Sequence, residues 1–186
     1  MVDLALPIET ERLLLRLQVP DDIDALYAIR SRPDVNTYLY SEAMTRAEVQ
    51  AKLDERLAKY SALTAPGDTL LLAVIRRDTG EMIGDVTLNW LLPAEHAQVE
   101  IGYVLHPDHH GHGFATEACQ PLLRIAFKTL DAHRVCGRLD AANVASARVL
   151  EKLGMRREAL FRENEFVKGE WVDEAVYAIL ASEWTG

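Results

Sequence analysis

Hydrophobic positions in the first sixty residues switch between the two-residue period of a strand and the longer period of a helix. Residues 13–18 alternate in the way that predicts a strand. Residues 20–22 (PDD) predict a helix start, because proline suits the first turn and acids there face the positive end of the dipole. Thr45 and Glu48 form a capping-box pattern ahead of a second amphipathic helix.

The rest of the chain predicts six more strands and two more helices. Gly84 lies inside the second strand of a hairpin and predicts a bulge. Asn143 predicts a helix N-cap, and Gly154 the end of that helix. The apolar positions after Phe114 predict the other helix. The predicted strands are residues 69–77, 81–92, 97–105, 133–140, 155–162 and 170–180, with a turn at Lys168-Gly169 between the last two.

This order of elements predicts an α/β fold, in which a mixed sheet carries helices on its faces. Residues 1–186 contain no repeat, no low-complexity segment and no linker composition. We therefore expect a single domain over residues 1–186, which is long enough to bury a core.

Charge and composition narrow the classes of partner and compartment. The net charge of −9 argues against nucleic acid and anionic membranes as partners, because both are bound through Lys/Arg patches. The first residues show neither a signal peptide pattern nor a run of transmembrane length. Cys119 and Cys136 fall in apolar patterns that predict buried free thiols. We expect a cytoplasmic protein.

Residues 106–118 (HPDHHGHGFATEA) hold four of the six histidines and two glycines. Histidine-rich tracts can bind metal, but adjacent rings such as His109 and His110 have nothing to make them converge, so we predict no metal. Gly111 and Gly113 lie between a strand and a helix start, whose free amides and dipole attract anions. The Thr116 hydroxyl could add a contact. From this pattern alone, a pyrophosphate cradle and a simple strand-to-helix turn both remain open.

The stretch HGHGFATEA resembles the acyl-CoA-binding loop of the GNAT N-acetyltransferase superfamily, whose pattern is Gln/Arg-x-x-Gly-x-Gly/Ala. His110 departs from the Gln/Arg position, which affects side-chain packing more than backbone contacts. Residues 9–29 and 143–163 resemble the opening and closing motifs of the RimJ/RimL-like branch. The resemblance implies a mostly antiparallel twisted sheet of about seven strands, flanked by about four helices, with a splayed strand pair at the cofactor site.

The resemblance further implies an acetyl-CoA-dependent N-acetyltransferase, with acetyl-CoA as co-substrate and no metal. The acetyl group would pass directly to a primary amine in a ternary complex, either a protein N-terminal α-amine or a small amine or amino acid. The residues that it implies for the pyrophosphate are His110, Gly111, His112, Gly113, Phe114, Ala115 and Thr116, and those for the pantetheine arm are Tyr103, Val104, Leu105, Asn143 and Ser146.

The resemblance also suggests catalytic groups. Ser146 would protonate the leaving thiolate, although Asn143 and Ser146 are equally explained as a helix cap and a first-turn residue. Glu100 or Glu165 would be the general base, and a solvated surface carboxylate or a water relay are the alternatives.

Two other function classes stay open on the sequence. One is a non-catalytic acyl-CoA-binding regulatory module of the same fold, and the other is a metal-binding protein that uses the histidine tract. The residues do not give the oligomeric state, but the resemblance implies a homodimer, since dimers are common in that family and the C-terminal strands could pair across an interface.

Overall fold

A computed structural model describes residue 2 and residues 4–186. Its centre is one eight-stranded sheet in the order β1-β2-β3-β4-β5-β6-β8-β7. All neighbouring strands are antiparallel except β5 and β6. The strands are β1 Ile8–Glu9, β2 Leu13–Leu17, β3 Thr69–Arg76, β4 Met82–Trp90, β5 Gln98–Leu105, β6 Arg134–Asp140, β7 Arg156–Val167 and β8 Glu170–Leu180.

Five α-helices accompany the sheet: α1 Ile23–Arg30, α2 Pro33–Asn36, α3 Arg46–Lys59, α4 Phe114–Arg124 and α5 Val144–Lys152. A 3₁₀ turn at Pro20–Asp22 precedes α1, and a π turn at Ile125–Thr129 extends α4. Thr45 and Glu48 cap α3 reciprocally, with Thr45 N 2.8 Å from the Glu48 carboxylate. The predicted capping box is confirmed. No helix of the described residues is long and apolar enough to cross a membrane.

The sheet has one strand more, and the fold one helix more, than the pattern predicted. The additions are β1, with two residues, and α2, with four. Neither is long enough to show a hydrophobic period, and Pro33 marks only the start of α2. Strand β7 also runs to Val167 rather than residue 162, because bulges interrupt the alternation that would have shown its second half.

Both faces of the sheet are covered, which explains the nearly unbroken apolar run of β3. The larger core cluster joins the sheet to α4 and α5 and includes Phe114, Leu122 and Leu150. The smaller one joins the sheet to α1 and α3 through Leu26 and Leu53. Cys119 and Cys136 are buried and free, as predicted.

Strand β5 leaves its parallel neighbour β6 halfway along its length. The two strands pair only from Gln98 to Glu100 on the β5 side, whereas β4 follows β5 as far as Leu105. Next to this divergence, β4 has a bulge beside Gly84, as predicted. A Cβ atom at Gly84 would lie 2.2 Å from the carbonyl oxygen of Val104, so only glycine permits this approach of the two strands. The splayed pair expected from the resemblance is present.

Candidate active site

The divergence of β5 and β6 opens a cavity of about 610 Å³ through the sheet. Its wall includes residues of both strands, of α1 and α3 on one face, of α5 on the other, and of the β7–β8 hairpin. Of the predicted site residues, it brings together Tyr103, Val104, Asn143, Ser146 and Glu165. Glu100 and Leu105, by contrast, are not part of this wall. A ligand that enters from one face can therefore reach a ligand on the other.

Tyr103 and Ser146 are hydrogen-bonded across this cavity wall. The Tyr103 hydroxyl lies 2.7 Å from Ser146 Oγ and donates to the Ser146 carbonyl oxygen at 2.9 Å. Burial raises the pKa of Tyr103, and the hydrogen bond with Ser146 opposes this only in part. The phenol therefore stays protonated and acts as a donor. Sequence reasoning assigned only the backbone of Tyr103 and missed this role of its side chain.

Asn143 caps α5, with its side-chain oxygen accepting from Ser146 N at 3.0 Å. The cap holds Ser146 in the first turn of α5, on the side that faces β5. The cap and the cavity position are compatible, because the side chain of Asn143 also lies in the cavity wall. Asn143 is thus a helix cap and Ser146 a first-turn residue, and both also belong to the wall of the cavity.

The predicted cofactor loop lies between β5 and α4, at the N-terminus of α4. Gly111 and Gly113 have φ of +80° and +82°, a region that favours glycine, and Gly113 is the N-cap of α4. Arg12 anchors the loop by donating to the His112 carbonyl oxygen at 3.0 Å while its guanidinium pairs with Glu117. The first amides of α4 have no partners within the helix, so this end can accept an anion.

The histidines of the loop contact different partners and do not converge on one point. The His110 ring contacts the Leu105 carbonyl oxygen at 3.0 Å, His106 Nδ1 accepts from Asp108 N, and His109 lies 3.4 Å from Glu81. The Phe114 ring packs at the edge of His109 and is buried. Across the described part of the chain, no three His, Cys, Asp or Glu side chains converge as metal ligands.

The two candidate bases occupy different surroundings. Glu100 is half-buried on β5 opposite Cys136, at the last residue before the strands diverge. Burial raises its pKa, and the positive charge of Arg138 opposes that rise. Glu165 is half-buried on β7, lies in the cavity wall and resumes pairing with β8 after a bulge. Glu100 thus lies at the divergence itself, on β5, whereas Glu165 lies in the wall of the cavity, on β7.

Sequence reasoning missed two ion-pair groups in the cavity wall. Arg30 and Arg56 both contact the buried carboxylate of Asp85 on β4. On the opposite side, Arg138 of β6 forms two bonds, of 2.7 and 2.9 Å, with Glu174 of β8. The signal in the sequence was the presence of acids inside two apolar strands, Asp85 in residues 82–90 and Asp173 and Glu174 in residues 170–180.

Comparison with known proteins agrees with this arrangement. Residues 12–156 match the family model described as "Acetyltransferase (GNAT) domain". The chain is 34% identical over 178 residues to "Uncharacterized N-acetyltransferase YnaD" of Bacillus subtilis (strain 168), covering 95% of this chain and 98% of that protein. It is 32% identical over 177 residues to "Uncharacterized N-acetyltransferase p20" of Bacillus licheniformis, covering 95% and 97%.

A solved structure shares the whole fold. The crystal structure of a GNAT-family acetyltransferase from Bacillus anthracis superimposes with a TM-score of 0.84 at 30% identity, over 96% of this chain and all of that one. The match of the family model to most of the chain, together with relatives of this identity and coverage, leads to one conclusion: the chain belongs to the GNAT acetyltransferase family.

Proposed function

We propose that this protein is an acetyl-CoA-dependent N-acetyltransferase that transfers an acetyl group to a primary amine by direct attack in a ternary complex. The observation that carries the proposal is the cavity between β5 and β6. It connects the two faces of the sheet, so that a thioester from the α5 side and an amine from the α1 side can meet. Orientation of this kind supplies a large part of the rate of acyl transfer.

The cofactor half of the proposal rests on backbone geometry. Among the described residues, the part of β5 beyond Glu100 has no partner strand on its β6 side. The backbone groups that point to that side, apart from the Leu105 carbonyl that contacts His110, are therefore free to bind a pantetheine arm. The loop of residues 110–116 would hold the pyrophosphate on its amides. A second cavity of about 770 Å³, lined in part by Gly113, Thr116, Arg124 and Lys152, lies along α4 beside that loop.

The chemistry requires a neutral amine, a donor to the developing oxyanion and a proton for the leaving thiolate. We assign the oxyanion donor to a backbone amide of residues 103–105 that points away from β4, and the acid to Ser146, held by Tyr103. Glu100 and Glu165 are the candidate bases. A water relay between the amine and either carboxylate serves the same purpose.

Detection of thiol release from acetyl-CoA in the presence of a broad amine panel, with mass spectrometry of the products, tests the proposal. We expect CoA and the acetylated amine to form in equal amounts. Acetyl-CoA that binds tightly but is never consumed, by calorimetry on the same protein, would instead identify a non-catalytic acyl-CoA-binding module.

We also propose that residues 1–186 act as one domain and that the protein is a cytoplasmic homodimer with no nucleic-acid or membrane partner. The long edge strand β7 supports the dimer, because within residue 2 and residues 4–186 it has a neighbour in the sheet on its β8 side only. Light scattering after size exclusion gives the mass in solution directly.

A further inference from the structure

Two arginines from different helices converge on one buried carboxylate in the cavity wall. Arg30, the last residue of α1, donates from Nη2 to both oxygens of Asp85 at 2.7 Å. Arg56 of α3 donates from Nη1 to Oδ2 of Asp85 at 3.3 Å. Asp85 is 3% exposed and Arg30 is 8% exposed. The group therefore carries one positive charge more than it has negative charge.

The two guanidinium groups have more N–H donors than Asp85 can accept. Nε of Arg30 is buried and has no hydrogen-bond partner among the described residues. A guanidinium carries five N–H donors, and leaving a buried donor without a partner is costly. Because both arginines line the cavity and Arg56 is partly exposed, an anion bound there can accept from the guanidinium N–H groups that face it, whereas Arg30 Nε itself is closed off.

A structural ion pair does not require both arginines. Arg30 alone satisfies the two oxygens of Asp85 and ties α1 to β4. Arg56 adds a second, longer contact and leaves an unbalanced charge in a half-buried position. Unpaired buried charge is destabilising, so the second arginine points to a negatively charged ligand.

The opposite wall of the same cavity is acidic. Glu165, Glu170, Asp173 and Glu174 of the β7–β8 hairpin line it, and they outnumber the two positive groups there, Lys168 and the Arg138 that pairs with Glu174. The strand order β4-β5-β6-β8 places Asp85 and Glu174 on opposite sides of the gap between β5 and β6. A primary amine is cationic in solution and is attracted to that wall. The cavity is thus suited to a ligand that carries both charges.

We propose that the acceptor is a primary amine that also carries a carboxylate, which Arg30 and Arg56 hold while the amine points to the gap between β5 and β6. This inference rests on the N-acetyltransferase activity proposed above. A carboxylate fits better than a phosphate, because its single charge matches the surplus and a dianion would face the acidic wall. Strand β5 lies about 5 Å from β4 and the gap begins on its far side, so the reach of the arginine side chains and the length of the acceptor together span more than one strand spacing.

Matched acceptors test the proposal. Leucine is compared with leucinamide and isoamylamine, and ω-amino acids from glycine to 6-aminohexanoate with alkylamines of equal length. We expect kcat/KM for at least one carboxylate form to exceed that of its uncharged partner by about 10- to 100-fold, as for other buried charge-assisted contacts. Arg56→Gln should bring the two forms to the same kcat/KM.

Arg46→Gln is the matched control, because Arg46 begins the same helix but forms an exposed pair with Asp24 outside the cavity. It should keep the wild-type preference. If amines are acetylated equally well with and without a carboxylate, the inference is wrong while the N-acetyltransferase activity stands.

If no amine is turned over, calorimetry distinguishes a failure of the proposed activity from a failure of the proposed carboxylate site. The same acids and amides are titrated into CoA-loaded wild type and Arg56→Gln. Acids that bind more tightly than amides, and lose that advantage in Arg56→Gln, would support the carboxylate site even though the proposed activity had failed. Equal binding of acids and amides would overturn the carboxylate site.

Discussion

At the scale of single residues, the pair of Tyr103 and Ser146 places a protonated phenol against the serine that we assign as the acid. Because the Tyr103 hydroxyl donates its one proton to the Ser146 carbonyl oxygen, the serine hydroxyl is the donor in its contact with Tyr103. The pair also joins β5 to α5 across the diverging strands. The same contact therefore holds the acid in place.

Ser146→Ala should lower kcat by about 10²- to 10⁴-fold, the usual contribution of a general acid, with acetyl-CoA affinity unchanged. Tyr103→Phe should lower kcat less, because it removes the partner and not the acid. Steady-state kinetics and calorimetry with CoA give the two quantities. Near wild-type turnover in Ser146→Ala would rule out its role as the acid.

The pH dependence of kcat/KM in variants of Glu100 and Glu165 distinguishes the two candidate bases. A general base works in its deprotonated form, so kcat/KM should rise as pH passes the pKa of the base. Glu100→Gln removes that rise if Glu100 is the base, and Glu165→Gln removes it if Glu165 is. A pH profile that keeps its step in both variants would favour a water relay.

Apart from its candidate role as the base, Glu100 affects the stability of the fold. Burial raises its pKa in the folded state, so the folded protein binds this proton more tightly than the unfolded chain. The stability of the fold is therefore greatest below the unfolded pKa and falls as pH rises through the folded pKa. Glu100→Gln should raise the free energy of unfolding at neutral pH and change it little at acid pH, measured by urea unfolding.

At the scale of elements, the loop between β5 and α4 depends on two left-handed glycines. At Gly111 a Cβ atom would meet nothing within 4 Å, so a substitution there acts through backbone strain alone. The loop of residues 110–116 holds its amides towards an anion only while this conformation is kept.

Gly111→Ala should weaken CoA binding by about tenfold, because left-handed backbone costs about 1–2 kcal/mol in a residue with a Cβ atom. Gly169→Ala is the control: its φ is +87° and its Cβ atom would also meet nothing within 4 Å, but it lies in the β7–β8 turn. Calorimetry with CoA should show a change in the first variant only. Equal affinities would mean that the loop does not bind the pyrophosphate.

At the scale of the whole molecule, Asp85 connects both helices of one layer to the sheet. Burial would raise the pKa of Asp85, but the positive charges of Arg30 and then Arg56 outweigh it and leave the pKa below its ordinary value. A lowered pKa means that this stabilisation is present above the unfolded pKa and is lost as pH falls through the folded pKa. The helix layer should thus loosen in acid.

Asp85→Asn should reduce the free energy of unfolding at neutral pH by about 3–5 kcal/mol, because it leaves two arginines without a counter-charge. The deficit relative to wild type should shrink in acid. Asp24→Asn is the control, since its pair with Arg46 also joins α1 to α3 but is exposed, and it should have little effect. Urea unfolding at both pH values would contradict this account if the two variants behaved alike.

The sequence by itself determined the main elements of this protein, because each has a local cause. The period of apolar residues gave the strands and helices, the Thr45–Glu48 box and the Asn143 cap fixed helix starts, and Lys168-Gly169 fixed the last turn. The glycines of residues 111–113 marked the loop. The short elements β1 and α2 were not predicted, since two to four residues cannot show a hydrophobic period.

Only the tertiary structure decided how the site is assembled. The divergence of β5 from β6 depends on pairing between strands that are more than thirty residues apart, which no local pattern records. The same is true of the contact of Tyr103 with Ser146, and of the meeting of Arg30 and Arg56 at Asp85. These contacts depend on long-range burial and register, and they set the charge of the cavity in which an acceptor would bind.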